Sequence, residues 1–179
     1  SDLNVTLLAK TSTTLYTNIT GLSANVTAGD LTVTETNGLT VLSGVGNLIN
    51  AAGNVTLNVG NSIPGSLTGA GTITASNTVT LSAPNGAVTL SSVTGQITAS
   101  NLSITANATS SANTNVTNLT ANVANGGLTI VEVDSIAIEP TDVLANGAVS
   151  ITSTGGSIVS GTSNSAINAG TGNVTLSAA

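Results

Sequence analysis

Seven carboxylates and one ammonium make up the charged side chains of this sequence: Asp2, Asp30, Glu35, Glu132, Asp134, Glu139 and Asp142 against Lys10, a net charge of −6. Four of the acids crowd into residues 132–142. In an extended strand alternate side chains share a face, so Glu132 and Asp134 are expected side by side on one outward surface. Calcium is held by several oxygens of this kind, but two carboxylates and a nearby pair are few, and the chain has no Gly-Gly-x-Gly-x-Asp repeat. The group is read as a solvated face. Cleavage of glycosidic bonds needs paired carboxylates, usually with Arg, Lys or His to bind and activate the substrate. His and Arg are absent. The expectation is therefore a protein that is not an enzyme and uses no cofactor or metal.

The remaining candidate chemistry is attachment. Nine Asn-x-Ser/Thr sequons begin at Asn4, Asn18, Asn25, Asn54, Asn101, Asn107, Asn115, Asn118 and Asn173. The sequon marks an acceptor for N-linked glycan. With 22 Asn, and 54 Ser plus Thr, in 179 residues, chance alone supplies most of them, at about seven. Asn4, Asn54 and Asn173 are the preferred acceptors because they precede strands at outward corners.

What positions these residues is a three-residue unit, apolar, then Thr or Ser, then apolar. It recurs as Val5-Thr6-Leu7, Leu31-Thr32-Val33, Val55-Thr56-Leu57, Val79-Thr80-Leu81, Leu102-Ser103-Ile104, Leu128-Thr129-Ile130, Val149-Ser150-Ile151 and Val174-Thr175-Leu176. Successive copies start at intervals of 26, 24, 24, 23, 26, 21 and 25. A second element, Ile or Val two residues before Ala, keeps the same phase at Val26, Ile49, Ile73, Ile97, Val143 and Ile167, and departs at Val123. Alternation of apolar and polar side chains is the period of a β-strand. Asn-Gly, Gly-Gly and Pro84-Asn85-Gly86 steps between the strands supply tight corners.

Short strands returning in one phase at one length describe a stacked coil rather than a sandwich. The fold class expected is all-β: a parallel right-handed β-solenoid, or β-helix, with coils of about 24 residues, forming one segment over 1–179. Right-handedness follows the usual hand of parallel crossovers. Eight strand copies would span about 34 Å of axis at ~4.8 Å per step. Val5, Leu31, Val55, Val79, Leu102, Leu128, Val149 and Val174 are expected in one interior column, with Thr6, Thr32, Thr56, Thr80, Ser103, Thr129, Ser150 and Thr175 as an outward hydroxyl ladder. Paired Thr-x-Thr columns of the ice-binding kind are not expected, because the residue before the triplet changes from copy to copy.

Composition sets further bounds. Phe, Trp, Cys and Met are missing, and Tyr16 is the only aromatic residue, so the core must be thin and built from Val, Leu, Ile and Ala. One cation cannot displace counterions along nucleic acid or hold an anionic membrane surface. Mean hydropathy is positive, +0.42, yet no apolar run approaches the ~18 residues of a membrane-spanning helix. The chain starts at Ser1 without an initiator Met and is read as a processed product or part of a longer chain.

The runs Ile167-Asn168-Ala169-Gly170-Thr171-Gly172-Asn173-Val174-Thr175-Leu176 and Ala83-Pro84-Asn85-Gly86-Ala87-Val88-Thr89-Leu90-Ser91 resemble the repeat regions of filamentous-haemagglutinin-like bacterial exoproteins. The resemblance extends over nearly the whole chain. It implies a long right-handed parallel β-helix exported to the cell surface through a partner transporter or an autotransporter route, and used for adhesion to a host or cell-surface receptor. Without Arg, no integrin-type Arg-Gly-Asp motif can exist here. The function expected is a structural and adhesive extracellular rod. The alternative is a self-assembling subunit of an extracellular filament, sheath or surface layer, associating through its end coils or continuing into more of the same chain.

Overall fold

The computed structural model describes residues 4–44, 48–90, 96–161 and 166–179; Asp2, and Ser91 at the end of one of the runs quoted above, lie outside them. Nineteen strands and no helix are found among these residues. Every strand pairing is parallel, and the chain forms a β-solenoid of about seven coils spaced about 22 residues apart, slightly tighter than expected. No helix long and apolar enough to cross a membrane is present among the described residues.

Three-sided coils occupy the centre of the first half. One side stacks β4 (Leu31–Glu35), β7 (Val55–Val59) and β10 (Thr78–Ala83). The second stacks β5 (Leu39–Val41), β8 (Leu67–Gly69) and β11 (Val88–Leu90). The third stacks β6 (Leu48–Ala51) and β9 (Thr72–Ala75) under the start of β12 (Ile97–Ala106). Leu31, Val55 and Val79 follow one another at one constant step, as do Ile49, Ile73 and Ile97. In Asn54-Val55-Thr56-Leu57-Asn58-Val59 the three apolar residues are fully buried and the three polar ones face outward, as alternation requires. On the second side the step is 28 from Leu39 to Leu67 and 21 from Leu67 to Val88; the corners absorb the difference, because within a strand a one-residue slip would turn the buried set to solvent.

Two stretches have shorter coils with two long sides instead of three. At the start, β1 (Asn4–Ala9) lies under β3 (Gly21–Val26), with Asn4 beneath Gly21, and β2 (Thr13–Thr17) lies under β4, with Thr13 beneath Leu31. In the middle, β12 lies under the second half of β13 (Ser110–Val123), with Leu102 beneath Leu119, and the first half of β13 lies under β14 (Leu128–Glu132), with Ser110 beneath Leu128. The chain then climbs through β15 (Ile136–Ala145), β16 (Val149–Ser153), β17 (Ile158–Ser160), β18 (Ile167–Asn168) and β19 (Val174–Ala178).

These short coils overturn the single interior column. Val5 lies under Leu22, not Leu31, and Leu102 lies under Leu119, not Leu128. The two longest intervals in the triplet spacing, Val5 to Leu31 and Leu102 to Leu128, are each one short coil plus the passage from one side to the next. The hydroxyl ladder accordingly divides into two. Thr14, Thr32, Thr56, Thr80, Ser103 and Thr120 form one row; Thr40, Thr68, Thr89, Ser111, Thr129, Ser150 and Thr175 form another. Thr6 stands beside Ser23 outside both. The second repeated element is also adjusted: Val26 sits under Ala51 while Ala24 sits under Ile49, a slip of two positions that keeps the same face inward.

Candidate functional site

The acids expected to share an outward face do not. Glu132 ends β14 with its side chain turned inward and 0 % exposed, whereas Asp134 is exposed. The Glu132 carboxylate accepts hydrogen bonds from the Thr114 hydroxyl at 2.7 Å, from the Val116 amide at 3.2 Å and from the Val133 amide at 2.9 Å. Burial pushes its pKa above the ordinary value of about 4.5, opposed by those hydrogen bonds. Glu139 lies beside the Asn118 amide, whose nitrogen turns to it at 2.9 Å. Asp142, at φ 70, accepts from the Ala166 amide at 2.7 Å where β15 departs from regular pairing. Each of these three carboxylates is thus taken up by groups of a neighbouring coil. No group of three or more residues able to hold a metal ion occurs among the described residues.

Glu35 draws no attention in the sequence, yet it occupies the same environment as Glu132. It is also 0 % exposed. Its carboxylate accepts from the Thr17 hydroxyl at 2.6 Å, the Ile19 amide at 3.1 Å and the Asn37 amide at 3.3 Å. In both cases the hydroxyl partner is 18 residues upstream and the amide 16 residues upstream. The cause is a change of step. Thr17 lies under Glu35 and Thr114 under Glu132, but the next pairs, Gly21 under Thr40 and Asn118 under Ala137, are each offset by one position more. One additional residue enters at the corner, so the amide of Ile19 or Val116 faces no matching carbonyl above it, and the glutamate side chain reaches in as the acceptor. A buried amide left unpaired would cost about 1–3 kcal/mol.

A sequence signal for this device exists at long range. Residues 17–35 and 114–132, 97 positions apart, agree at 11 of 19 positions, including Thr-Asn-x-Thr at the start and Leu-Thr-x-x-Glu at the end. A search for coil-length periods passes over it because the interval covers several coils.

The sequons are distributed unevenly. Asn4 and Asn173 are exposed. Asn54 is not free at its corner: its amide nitrogen donates to Asp30 at 3.0 Å, and its oxygen accepts from the Thr78 amide at 3.2 Å, forming a rung between three coils. Asn18 with Asn37, Asn25 with Asn50 and Asn107 with Asn125 form similar rungs at 2.6–2.9 Å.

The two end coils differ from the rest. Among the described residues, β1 pairs with β3 alone, β2 with β4 alone, β17 and β18 with β15 alone, and β19 with β16 alone. Val5, Leu7, Ala9 and Leu15 are only partly covered at one end. At the other, Ile138, Ile158, Val159, Ile167 and Leu176 line an open recess of about 170 Å³, and Val174 and Leu176 are 45 % and 50 % exposed. No family model, no curated protein and no solved structure matches this chain.

Proposed function

We propose that the protein is a structural and adhesive rod working outside the cell, without catalytic turnover or cofactor. The observation that supports this reading is the distribution of chemistry over the solenoid. The inside is a continuous thin apolar core, and the outside carries hydroxyl rows and amide rungs, the amides bonded from coil to coil. The carboxylates of Glu35, Glu132 and Asp142 serve the backbone. Such a surface offers repeated weak contacts, as a stalk or adhesive shaft requires. A receptor would be met by the hydroxyl and amide rows along a side, and the surface setting follows the resemblance to exported β-helical repeat proteins. Assay of the purified chain against polysaccharides, with cell-binding measured in parallel, tests the reading. Binding without conversion is the expected result, and efficient conversion of any substrate overturns it.

A second reading, a self-assembling subunit of an extracellular filament, is favoured by the end-coil strands that are paired on one side only among the described residues, since open parallel edges recruit further strands. Electron microscopy of material taken from its source without proteolysis separates the two. Filaments with this chain as the repeating unit support assembly, and isolated rods or a longer parent chain support the stalk.

A further inference from the structure

Four Asn-Gly steps turn corners of the solenoid: Asn37-Gly38, Asn85-Gly86, Asn125-Gly126 and Asn146-Gly147. Asn before Gly is where a side-chain amide is lost most readily without an enzyme, because glycine leaves the main-chain nitrogen unshielded and its backbone free to turn. In that reaction the glycine nitrogen gives up its proton and attacks the side-chain carbonyl carbon. The bond to the amide nitrogen breaks, ammonia leaves with the proton, and a cyclic imide remains. Water then opens the imide at one carbonyl to give aspartate, or at the other to give isoaspartate, whose main chain is one carbon longer. All four steps share the residue that follows, so the fold sets the difference between them.

Three of the side chains are held. The Asn37 amide nitrogen donates to Asn18 Oδ1 at 2.7 Å, and that of Asn125 to Asn107 Oδ1 at 2.6 Å. The Asn85 amide nitrogen donates to the Gly60 carbonyl at 2.8 Å, and the Gly86 amide, which would have to attack, is itself bonded to the Ala83 carbonyl at 3.0 Å. Asn146 differs. Its main-chain amide is anchored on the Val123 carbonyl at 3.1 Å, but its side chain is exposed and, like the Gly147 amide, has no hydrogen-bond partner among the described residues. No rung forms because the coils on either side offer no polar side chain. Ala124 follows the Val123–Ala145 pair below, and above lies Gly170, where an added Cβ would stand 2.8 Å from Asn146 Oδ1. We propose that Asn146-Gly147 is a site of spontaneous deamidation, adding one negative charge to the net −6 as the protein ages. The corner is closely stacked: a Cβ on Gly147 would stand 2.8 Å from the Gly127 amide nitrogen below, and Gly172 above packs on Gly147 in turn. Aspartate keeps the main-chain length and leaves this stack in place. Isoaspartate adds a carbon between Ala145, set on Val123, and Val149, set on Leu128. The corner then presses on Gly172 and loosens β19, which follows it and pairs with β16.

The purified chain, kept folded in mildly alkaline buffer and sampled over time, tests the site. Peptic peptides mapped by mass spectrometry, with isoaspartate separated by chromatography, read the loss of amide at each step. Asn146 should react first. A rung that must open beforehand slows the reaction roughly two- to tenfold, so Asn37 and Asn125 should lag by that factor, and Asn85, held at two points, should come last. In denaturant the four rates should converge. Asn107→Ala removes the Asn125 rung and should bring Asn125 up to the rate of Asn146 while leaving Asn37 and Asn85 unchanged, with circular dichroism showing the fold retained. A folded chain in which Asn146 is not first, or an order that persists in denaturant, overturns the site. An Asn125 rate unmoved by Asn107→Ala overturns protection by the rungs. Hydrogen exchange in β19 should be faster in the isoaspartate fraction than in the aspartate fraction, and equal exchange overturns the loosening.

Discussion

Replacing Glu132 separates what its charge does from what its oxygens do. In Glu132→Ala, the Val116 amide loses its acceptor in a fully buried setting, and the Thr114 hydroxyl is left with the Val131 carbonyl at 3.5 Å. One buried donor left bare costs about 1–3 kcal/mol, and the small void left by the lost side chain adds about 1 kcal/mol or more. Removing a carboxylate that burial disfavours returns part of this, so the net loss expected is about 2–3 kcal/mol. For a chain of this size that lowers the melting temperature by roughly 4–12 °C, at ~2–4 °C per kcal/mol. Glu132→Gln keeps an oxygen for Val116 and Val133, and its amide can donate to the Thr114 oxygen, so a loss below about 1 kcal/mol is expected. The pH dependence follows from the raised pKa. Between the unfolded value and the higher folded value, the folded chain holds more protons than the unfolded one, so stability falls as pH rises through that window. Glu132→Gln should remove that slope. Thermal unfolding followed by circular dichroism across pH, with hydrogen exchange at the Val116 amide, reads all three effects. If Glu132→Gln proves as damaging as Glu132→Ala, the negative charge itself is required and the reasoning from burial is wrong.

Leu57→Ala empties a fully buried position between Val33 and Leu81 and should cost about 2–5 kcal/mol, whereas Thr56→Ala on the outward row should cost within about 0.5 kcal/mol, both measured by chemical denaturation. Gly69→Ala should destabilise by about 1–3 kcal/mol, because the residue sits at φ 129 and an added Cβ would collide with the Val41 carbonyl oxygen; a stability equal to the parent would contradict the register of β5 on β8. Expression in a glycosylating host, followed by mass spectrometry, should find glycan at Asn4 and Asn173 ahead of Asn54, whose amide nitrogen is already bonded to Asp30; heavier occupancy of Asn54 would show that this rung opens easily.

The solenoid is legible in the sequence because its signal is local and repeated. In Asn54–Val59 each residue's side of the sheet follows from alternation alone, and Leu31, Val55 and Val79 repeat at one coil length, so pattern and period agree. Counted from Leu128 and Ile130, the same rule puts Glu132 on the buried face, where it is found, and the outward reading sets its charge ahead of that alternation. Alternation sets it on a face with Asp134, but β14 ends at Glu132 and the chain turns a corner there, so the two residues do not belong to one strand. Alternation from Leu31 and Val33 carries Glu35 inward, but it passes unnoticed because a lone carboxylate is not expected on a buried face. Its burial depends on the distant Ile19 amide, which has lost its carbonyl. Alternation places Asn54 correctly before a strand, but its partners Asp30 and Thr78 lie in other coils.

The amino-acid sequence by itself determined the strand period, the parallel stacking, the apolar interior and the absence of the guanidinium and imidazole groups that much binding and catalysis need. Those properties depend on which residues alternate and how often, and every coil restates them. The tertiary structure alone decided which side of the rod each strand occupies, where a coil has two sides instead of three, and which acids are buried. The physical reason is that all sides are built from the same apolar–hydroxyl–apolar triplet, so the triplet carries no label for its side. Placement is settled only when backbone amides and carbonyls of adjacent coils find partners, and where a corner leaves one without, a glutamate from the coil above completes it.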